Sequence, residues 1–292
     1  MTSAIEFNNI LVGLDMSSRD NYVNSFLSKN LEALDIKKVD FIHVKEKKTS
    51  KLSEAEIKEN LSHKIQETFS NNDLETKLHL LHGNPTEEIR KEIKNKNTDL
   101  LVVGYKKSRT HNLETQKLVK KPASSLILIP NKEDYSIKKI CVALDFSELS
   151  MQALKKAINM ANHSGAKIVG LHAYKVPAGY HKSGKNHREY AKIMEENAKN
   201  KAQIFLDKAG IGGIEIEYIY DEDNEPATCI AQFARDSHSD LVLIGSKGRT
   251  NAASILLGSV AKELSKKLYD IPLMIVKVKN ENMDFVDAIK KV

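Results

Sequence analysis

Three glycines after a short apolar run mark the stretch of this sequence that is best suited to chemistry. The run is Leu241–Ile244, and its four residues fit a strand buried on both faces. Gly245 ends the run, Gly248 follows, and Gly258 with Ser259 opens the next helical stretch. Glycine lets a backbone approach a ligand closely, and the unpaired N–H groups that begin a helix attract anions. The spacing therefore indicates a site for a phosphate chain, with an ordinary strand–turn–helix connection as the alternative.

Charged side chains could complete such a site. Lys247 and Arg249 flank the glycine loop with positive charge. Asp145 directly follows another apolar run, Ile140–Leu144, and its carboxylate can accept hydrogen bonds from ribose hydroxyls or from an adenine amine. A second role for Asp145, capping the helix that follows it, agrees equally well with its position.

The rest of the chain supplies the elements that must position these residues. Strands of four to six apolar residues alternate with helical stretches, which is typical of a parallel sheet covered by helices on both faces. One of these helices is capped by Ser147, and a long charged helix is predicted from about His187 to Ala209. Right-handed crossovers place the carboxyl ends of the first and fourth strands of such a unit side by side. Asp145 and the Gly248 loop follow those two strands, so we expect both at one crevice.

The whole pattern occurs twice. Five phrases recur in the same order at nearly constant offset, which indicates an internal duplication. They pair Ile10–Asp15 with Ile140–Asp145, Val39–His43 with Ile168–His172, Asn84–Ile89 with Glu225–Ile230, Asp99–Gly104 with Asp240–Gly245, and Ser125–Ile129 with Pro272–Val276.

The first copy keeps Asp15 and Gly104 but lacks the glycine loop. Residues 105–118 contain no glycine, so this loop cannot wrap closely around a triphosphate, whatever charge Lys106, Lys107 and Arg109 provide. We interpret this copy as a degenerate half with a structural or regulatory role. A loose anion site there is the alternative.

These repeats divide the chain into two domains and a tail. The first domain is predicted to span residues 1–133, the second 134–280, and the tail 281–292. The polar connector 131–138 is short, so the two domains should pack together. The last strands of the two copies, Leu126–Ile129 and Leu273–Val276, are apolar edge candidates that we predict to pair across a pseudo-twofold axis within the chain.

The tail has a pattern of its own. Its apolar residues Met283, Phe285, Val286 and Ile289 are spaced like those of a short amphipathic helix. A frayed chain end is the alternative.

The glycine loop also carries a family resemblance. The spacing Gly-x2-Gly-x9-Gly-Ser, with residues 244–251 and 255–260 around it, resembles the ATP-binding signature of the universal stress protein family. The resemblance extends over about residues 8–279 in a tandem form whose C-terminal copy is of the ATP-binding type. It implies an α/β fold of two tandem, doubly wound, parallel five-stranded sheet domains, the universal stress protein or adenine nucleotide alpha hydrolase-like fold.

The same resemblance implies which residues hold the nucleotide. Asp145 lies beside the adenosine, and the backbone of Ala173 holds the base. The remaining matches line the adenine side or surround the ribose and phosphates: Ala143, Leu144, Gly245, Ser246, Gly248, Arg249, Gly258, Ser259 and Val260.

By this resemblance the protein is an ATP-binding, nucleotide-dependent regulator in the stress response, with ATP held in the second copy, with or without Mg²⁺. Enzyme motifs are sparse: the sequence has no Gly-x4-Gly-Lys-Ser/Thr loop and no Gly-x-Ser-x-Gly elbow. We therefore expect ATP to be held, with at most weak hydrolysis. The alternatives are an interaction scaffold without bound nucleotide, and a slow ATPase or nucleotidyl transferase.

Composition limits the class of protein further. The chain of 292 residues has a mild net charge of +6 and no basic module for nucleic acid, so we expect none as a partner. It has no apolar run long enough to span a bilayer and no secretion-signal pattern, and we predict a cytoplasmic location without membrane attachment. Cys141 and Cys229 are expected to be core residues. The sequence does not decide whether the protein has a protein partner or forms a homodimer of whole chains.

Four histidines could bind a metal ion, form hydrogen bonds or face solvent. His181 and His187 lie in a segment of the second copy, residues 177–187, that the first copy lacks, and this segment could act as a lid over the nucleotide. Both lack further ligands at metal spacing, so we expect them to face solvent and predict no metal site. His43 and His172 end equivalent strands, which favours a shared packing or hydrogen-bonding role.

Overall fold

The computed structural model describes residues 6–46, 52–105, 113–248 and 256–278. Within these ranges each copy folds as strands alternating with helices, as the apolar runs predicted. The elements of the N-terminal half are β1 Ile10–Leu14, α1 Arg19–Leu34, β2 Lys38–Lys45, α2 Glu54–Phe69, β3 Glu75–His82, α3 Pro85–Asn95, β4 Leu100–Gly104, α4 Leu113–Lys120 and β5 Ser125–Ile129.

The C-terminal half repeats this order with one addition, a short 3-10 helix at Tyr180–Ser183 after its second strand. Its elements are β6 Lys139–Ala143, α5 Glu148–Ser164, β7 Lys167–Tyr174, α6 His187–Ala209, β8 Glu215–Tyr220, α7 Pro226–Asp236, β9 Leu241–Gly245, α8 Ser259–Lys267 and β10 Leu273–Val276. The predicted long helix is confirmed as α6, which ends where Gly210 adopts the left-handed conformation.

The strands form one ten-stranded sheet in the order β3-β2-β1-β4-β5-β10-β9-β6-β7-β8. Each half contributes five parallel strands, and the two halves meet where β5 pairs antiparallel with β10. Met274 faces Ile127 at the centre of this seam, and all residues of both strands are buried. The predicted pairing of these two strands within one chain is confirmed. Pairing also removes two apolar edges that would otherwise invite aggregation.

Helices cover both faces of the sheet. Buried side chains of α1, α2, α5 and α6 form one core cluster with the strands, and those of α3, α4, α7 and α8 form a second cluster on the opposite face. Helix α1 packs against α5, and α4 against α8, so that helices of the two halves meet over the seam on both faces. The two halves therefore share continuous cores.

Equivalent aspartates fix the start of each half in the same way. Asp99 accepts hydrogen bonds from the N–H groups of Asn8 and Asn9, at 3.1 and 2.8 Å. Asp240 accepts from the N–H groups of Lys138 and Lys139, both at 3.0 Å. The duplication seen in the sequence thus extends to side-chain hydrogen bonds.

The connector between the halves is less polar than its sequence suggests. Tyr135 is buried, and its ring meets that of Phe26 edge to face at 6.2 Å. Its hydroxyl donates to the carbonyl oxygen of Pro130 at 2.9 Å. The connector is therefore packed against the core, which holds the two halves together. The tail, residues 281–292, lies outside the described residues.

Candidate functional site

The site begins at the carboxyl ends of two neighbouring strands. Strands β6 and β9 are parallel neighbours, with Ala143 opposite Ile244 in the ladder. Asp145 follows β6, and Gly245 is the last residue of β9. The two chain segments therefore leave the sheet at the same edge, as the predicted crossover geometry requires.

The two carboxylate oxygens of Asp145 have different surroundings. Oδ1 accepts hydrogen bonds from the Ser147 N–H at 3.1 Å and from the Ser147 hydroxyl at 2.6 Å, which orders the turn into α5. Oδ2 faces the glycine loop, because a Cβ atom at Gly248 would lie 2.8 Å from it. The helix cap itself is Ser147, whose Oγ accepts from the Ser150 N–H at 3.3 Å. One oxygen of Asp145 thus serves the turn, and the other points toward the loop.

The start of α8 packs against the loop that contains Gly248. The N–H of Gly258 donates to the Ser246 carbonyl oxygen at 2.8 Å, and a Cβ atom at Gly258 would lie 3.3 Å from the Cα of Lys247. Ser259, the first residue of α8, is exposed. Gly258 therefore brings the N-terminus of a nine-residue helix beside residues 246–248. Free N–H groups at such an end suit an anion.

Ser246 stands out within the loop because it is only 2% exposed. Its N–H donates to the Val276 carbonyl oxygen at 2.8 Å. Its hydroxyl oxygen, however, has no hydrogen-bond partner within the described part of the chain. Buried hydroxyl groups are normally paired, so this unpaired atom is unusual.

Other predicted site residues form the floor of the crevice. Gly245 has a packing role, since a Cβ atom there would lie 2.9 Å from the Leu149 Cβ of α5. Ala143 and Leu144 are buried in the two cores, and both the N–H and the carbonyl oxygen of Leu144 are engaged, with Leu171 and His172. Both residues are thus fixed in place at the end of β6.

The remaining predicted residues lie around this floor. Ala173 is half-buried near the end of β7, and Val260 is half-buried against the core. Arg249 lies outside the described residues. The structure therefore brings Asp145, Ser246 and Gly248 together with the start of α8.

The N-terminal half has a different arrangement at the equivalent place. Arg19 occupies the position that Leu149 has in the other half, against the glycine that ends the fourth strand: a Cβ atom at Gly104 would lie 2.7 Å from the Arg19 Cβ. The Arg19 guanidinium forms an ion pair with Asp15 Oδ2, the oxygen that corresponds to the loop-facing oxygen of Asp145. Its Nε also donates to the Ser17 hydroxyl oxygen at 3.1 Å. The carboxylate of Asp15 is therefore already neutralised by the chain itself.

A buried acid lies directly below this ion pair. Asp20 accepts hydrogen bonds from the N–H groups of Asp15 and Met16, at 2.9 and 2.8 Å. Burial raises the pKa of Asp20 to about 7, and the two backbone hydrogen bonds oppose that rise. The C-terminal half has the neutral Ser150 at this position.

The histidines have structural partners. His43 Nδ1 lies 3.0 Å from the Leu14 carbonyl oxygen, and His172 Nδ1 lies 2.7 Å from that of Leu144. This confirms a shared hydrogen-bonding role at equivalent strand ends. His187 Nε2 is 2.7 Å from the Tyr220 hydroxyl oxygen. Among the described residues, no group of three or more His, Cys, Asp or Glu side chains could hold a metal ion.

Two residues near the site were not identified from the sequence. Arg19 could have been found, because it is a cation only four residues after Asp15, close enough in the chain to pair with it. Phe146 could not have been: its φ of 65° is unusual for a bulky residue, and its ring stacks on His172 at 4.3 Å. That contact joins residues that are distant in the sequence.

Within the described ranges, no helix is long and apolar enough to cross a membrane.

Comparisons with known proteins agree with the duplication. The family model described as the universal stress protein family matches residues 6–118 and again residues 136–277. A universal stress protein of Methanocaldococcus jannaschii is 29% identical over 145 residues, covering 49% of this chain and 85% of that protein. The universal stress protein YxiE of Bacillus subtilis is 30% identical over 155 residues, covering 48% of this chain and 98% of its own length.

A solved structure covers both halves. The crystal structure of a universal stress protein from Archaeoglobus fulgidus DSM 4304 has a TM-score of 0.66 with this chain, at 15% identity, covering 95% of this chain and 99% of that one. At that identity it supports the fold alone. With both halves matched by the family model, the chain belongs to the universal stress protein family, as two tandem domains.

Proposed function

We propose that this protein binds ATP in the crevice of its C-terminal half and acts as a nucleotide-dependent regulator in the stress response. The observation that carries the proposal is the approach of Gly248 to Asp145 Oδ2 at the N-terminus of α8. Any side chain at position 248 would enter the space in front of the carboxylate. The arrangement thus keeps an acceptor and a helix N-terminus accessible to one ligand.

Each part of a nucleotide has a suitable partner there. The Asp145 carboxylate accepts hydrogen bonds from the ribose hydroxyls. The first N–H groups of α8 and the backbone of the 246–248 loop face the phosphates. The Ser246 hydroxyl is buried beside this loop and is unpaired among the described residues. The backbone at Ala173 is the edge against which the base is held.

A Mg²⁺ ion bound together with ATP would take its ligands mainly from the nucleotide. Mg²⁺ prefers oxygen ligands and keeps several waters, so it is commonly held through the substrate phosphates. No cluster of acidic or histidine ligands competes for it within the described residues. The protein residues then serve to bind and orient the nucleotide.

The N-terminal half is proposed not to bind nucleotide. Its Asp15 is paired with Arg19, so a ribose would have to displace a guanidinium before reaching the carboxylate. Breaking a charge-assisted pair and exchanging it for neutral hydroxyl groups is unfavourable. One nucleotide per chain follows.

The direct test is a calorimetric titration of the whole chain with ATP, preceded by mass spectrometry of small molecules released from the purified protein. One site per chain is expected. Two equivalent sites would refute the proposed asymmetry, and the absence of saturable binding of any adenine nucleotide would favour the scaffold function instead.

A turnover measurement with Mg²⁺ separates holding ATP from consuming it. We expect hydrolysis to be weak or absent, because the sequence has no Gly-x4-Gly-Lys-Ser/Thr loop and no Gly-x-Ser-x-Gly elbow. Sustained multiple turnover, or transfer of a nucleotidyl group, would instead support an enzyme.

A further inference from the structure

A cavity lies between α5 and α6 and reaches the crevice at Asp145. It has a volume of about 560 Å³. Its apolar lining is Phe146, Met151, Ile204, Phe205 and Ala209. Lysines from both helices border it, together with two acids at its upper end: Lys155, Lys201, Lys208, Asp145 and Glu148. We call this cavity the α5–α6 groove.

The helix of the N-terminal half that corresponds to α6 is α2, and it buries larger side chains. Helix α2 buries Ile57, Leu61, Ile65 and Phe69, whereas α6 buries Ala198, Ala202, Phe205 and Leu206. Two of the four buried side chains of α6 are therefore alanines, and those of α2 are all large.

One wall of the groove carries an unusually exposed apolar residue. Ile204 of α6 is 69% exposed. A helix that packs fully on a sheet normally turns such a residue inward, and an isolated large aliphatic side chain in water forgoes the gain from burial. The groove thus presents apolar surface on its floor and on its α6 wall.

A segment of this same chain has complementary properties. Residues 279–292 lie outside the described structure and follow Val278, after β10. At 100° per residue, a helix over this segment places Met283, Val286 and Ile289 on one side, which also includes Asn282 and Lys290. The acidic residues Glu281, Asp284 and Asp287 fall on the opposite side.

We propose that the C-terminal segment 281–292 docks in the α5–α6 groove of its own chain. Its apolar side covers the floor formed by Phe205 and its neighbours and the exposed Ile204. Its acidic side then lies at the rim, where flexible lysine side chains from both walls can reach it. The attraction between the three acids of the segment and the three lysines of the groove is opposed by Asp145 and Glu148 in the groove and by Lys290 and Lys291 in the segment.

The length of the segment suits this path. Val276 pairs with Gly245, and Gly245 lies against Leu149 at the start of α5, so the segment leaves the sheet beside that helix. Crossing the start of α5 requires roughly 15 Å, which about five extended residues span. The groove runs beside α5 from Glu148 to Lys155, a rise of about 10 Å, and the stretch 283–289 has the same length as a helix.

Hydrogen–deuterium exchange of the full chain tests the proposal without any nucleotide. We expect the amides of residues 283–290 to exchange at least about tenfold more slowly than the same amides in the Ile204→Glu protein. Because Ile204 is largely exposed, this substitution leaves the fold intact, which circular dichroism and the thermal midpoint can verify. Unprotected exchange of the segment in the unaltered chain, or protection that survives Ile204→Glu, would overturn the proposal.

Charge reversal provides the matched controls. Lys208→Glu should reduce the protection, whereas Lys192→Glu on α6, exposed and not part of the groove lining, should not. Reversing the acids as well, with Asp284→Lys and Asp287→Lys, should restore protection in the Lys208→Glu protein. Equal effects of the two single lysine variants would contradict the docking, and protection that increases with protein concentration would identify a second copy as the occupant instead.

Discussion

Replacing Gly248 by alanine is the sharpest test of the site, because it adds a single methyl group at a known place. The Cβ of the new residue would lie 2.8 Å from Asp145 Oδ2, whereas ordinary contacts begin near 3.4 Å. The carboxylate would therefore have to move by about half an ångström or more. It cannot rotate freely, since its other oxygen is held by the N–H and the hydroxyl of Ser147.

The expected loss follows from the hydrogen bonds that the displaced carboxylate no longer makes. A hydrogen bond to a charged group contributes about 1.5–3 kcal/mol, so the ATP affinity should fall by at least about tenfold. Folding should be almost unaffected, because φ at Gly248 is not in the left-handed region and the methyl group meets no backbone atom of the described residues. Alanine also restricts the unfolded chain more than glycine does, which offsets small losses.

Calorimetric titration with ATP and urea unfolding of the same protein separate the two effects. The control is Gly212→Ala, where a Cβ atom would meet nothing within 4 Å and φ is likewise not positive. That variant has the same change in the unfolded state, and it should bind ATP normally. Undiminished binding by the Gly248→Ala protein, with the control also normal, would show that the nucleotide does not lie between Asp145 and the loop.

Three further predictions follow from other parts of the structure. Asp145→Ala should weaken ATP binding by about tenfold or more in a titration, whereas Asp15→Ala should leave it nearly unchanged, and equal losses would mean that both halves bind. Burial lowers the pKa of Lys156, whose ammonium lies 4.0 Å from the Phe7 ring centre, to about 8. The Lys156 ammonium holds its proton more tightly in the unfolded chain, so the free energy of unfolding should rise between about pH 8 and 10.5. Lys156→Met should stabilise the protein at pH 7 by on the order of 1–3 kcal/mol. The same variant should flatten the rise with pH, as measured by urea titrations. Asp240→Ala should lower the free energy of unfolding by about 2–3 kcal/mol, because it removes the acceptor of two N–H groups, and a urea midpoint equal to that of the unaltered protein would contradict this.

Much of the fold could be predicted from local sequence signals. Every apolar run of four to six residues became a strand, and the repeat predicted the same order of elements in both halves. Glycine and proline marked the ends of helices, as at Gly210 and Pro226. The pairing of β5 with β10 also followed from the sequence, since two apolar last strands on one chain would otherwise leave exposed edges. These features depend on periodicity and turn chemistry, which a single segment carries by itself.

The candidate site was predictable in part. The glycine spacing located the loop, and the repeat placed Asp145 opposite it. The sequence did not reveal that Gly245 is needed for the approach of Leu149, nor that Arg19 neutralises Asp15 in the other half. Both depend on how a helix lies against the end of a strand, and residues distant in sequence set that distance.

The burial of individual side chains and the gaps between neighbouring helices were decided by the tertiary structure alone. Lys155 and Lys156 are adjacent in the sequence, yet one borders the groove and the other is 1% exposed near the contact between α1 and α5. The groove itself is lined by side chains of α5 and α6, such as Met151 and Phe205, that are distant in the sequence. Helical periodicity determines which side of a helix faces the sheet, but not how closely the neighbouring helix lies, because that spacing depends on the volumes of side chains contributed by both helices.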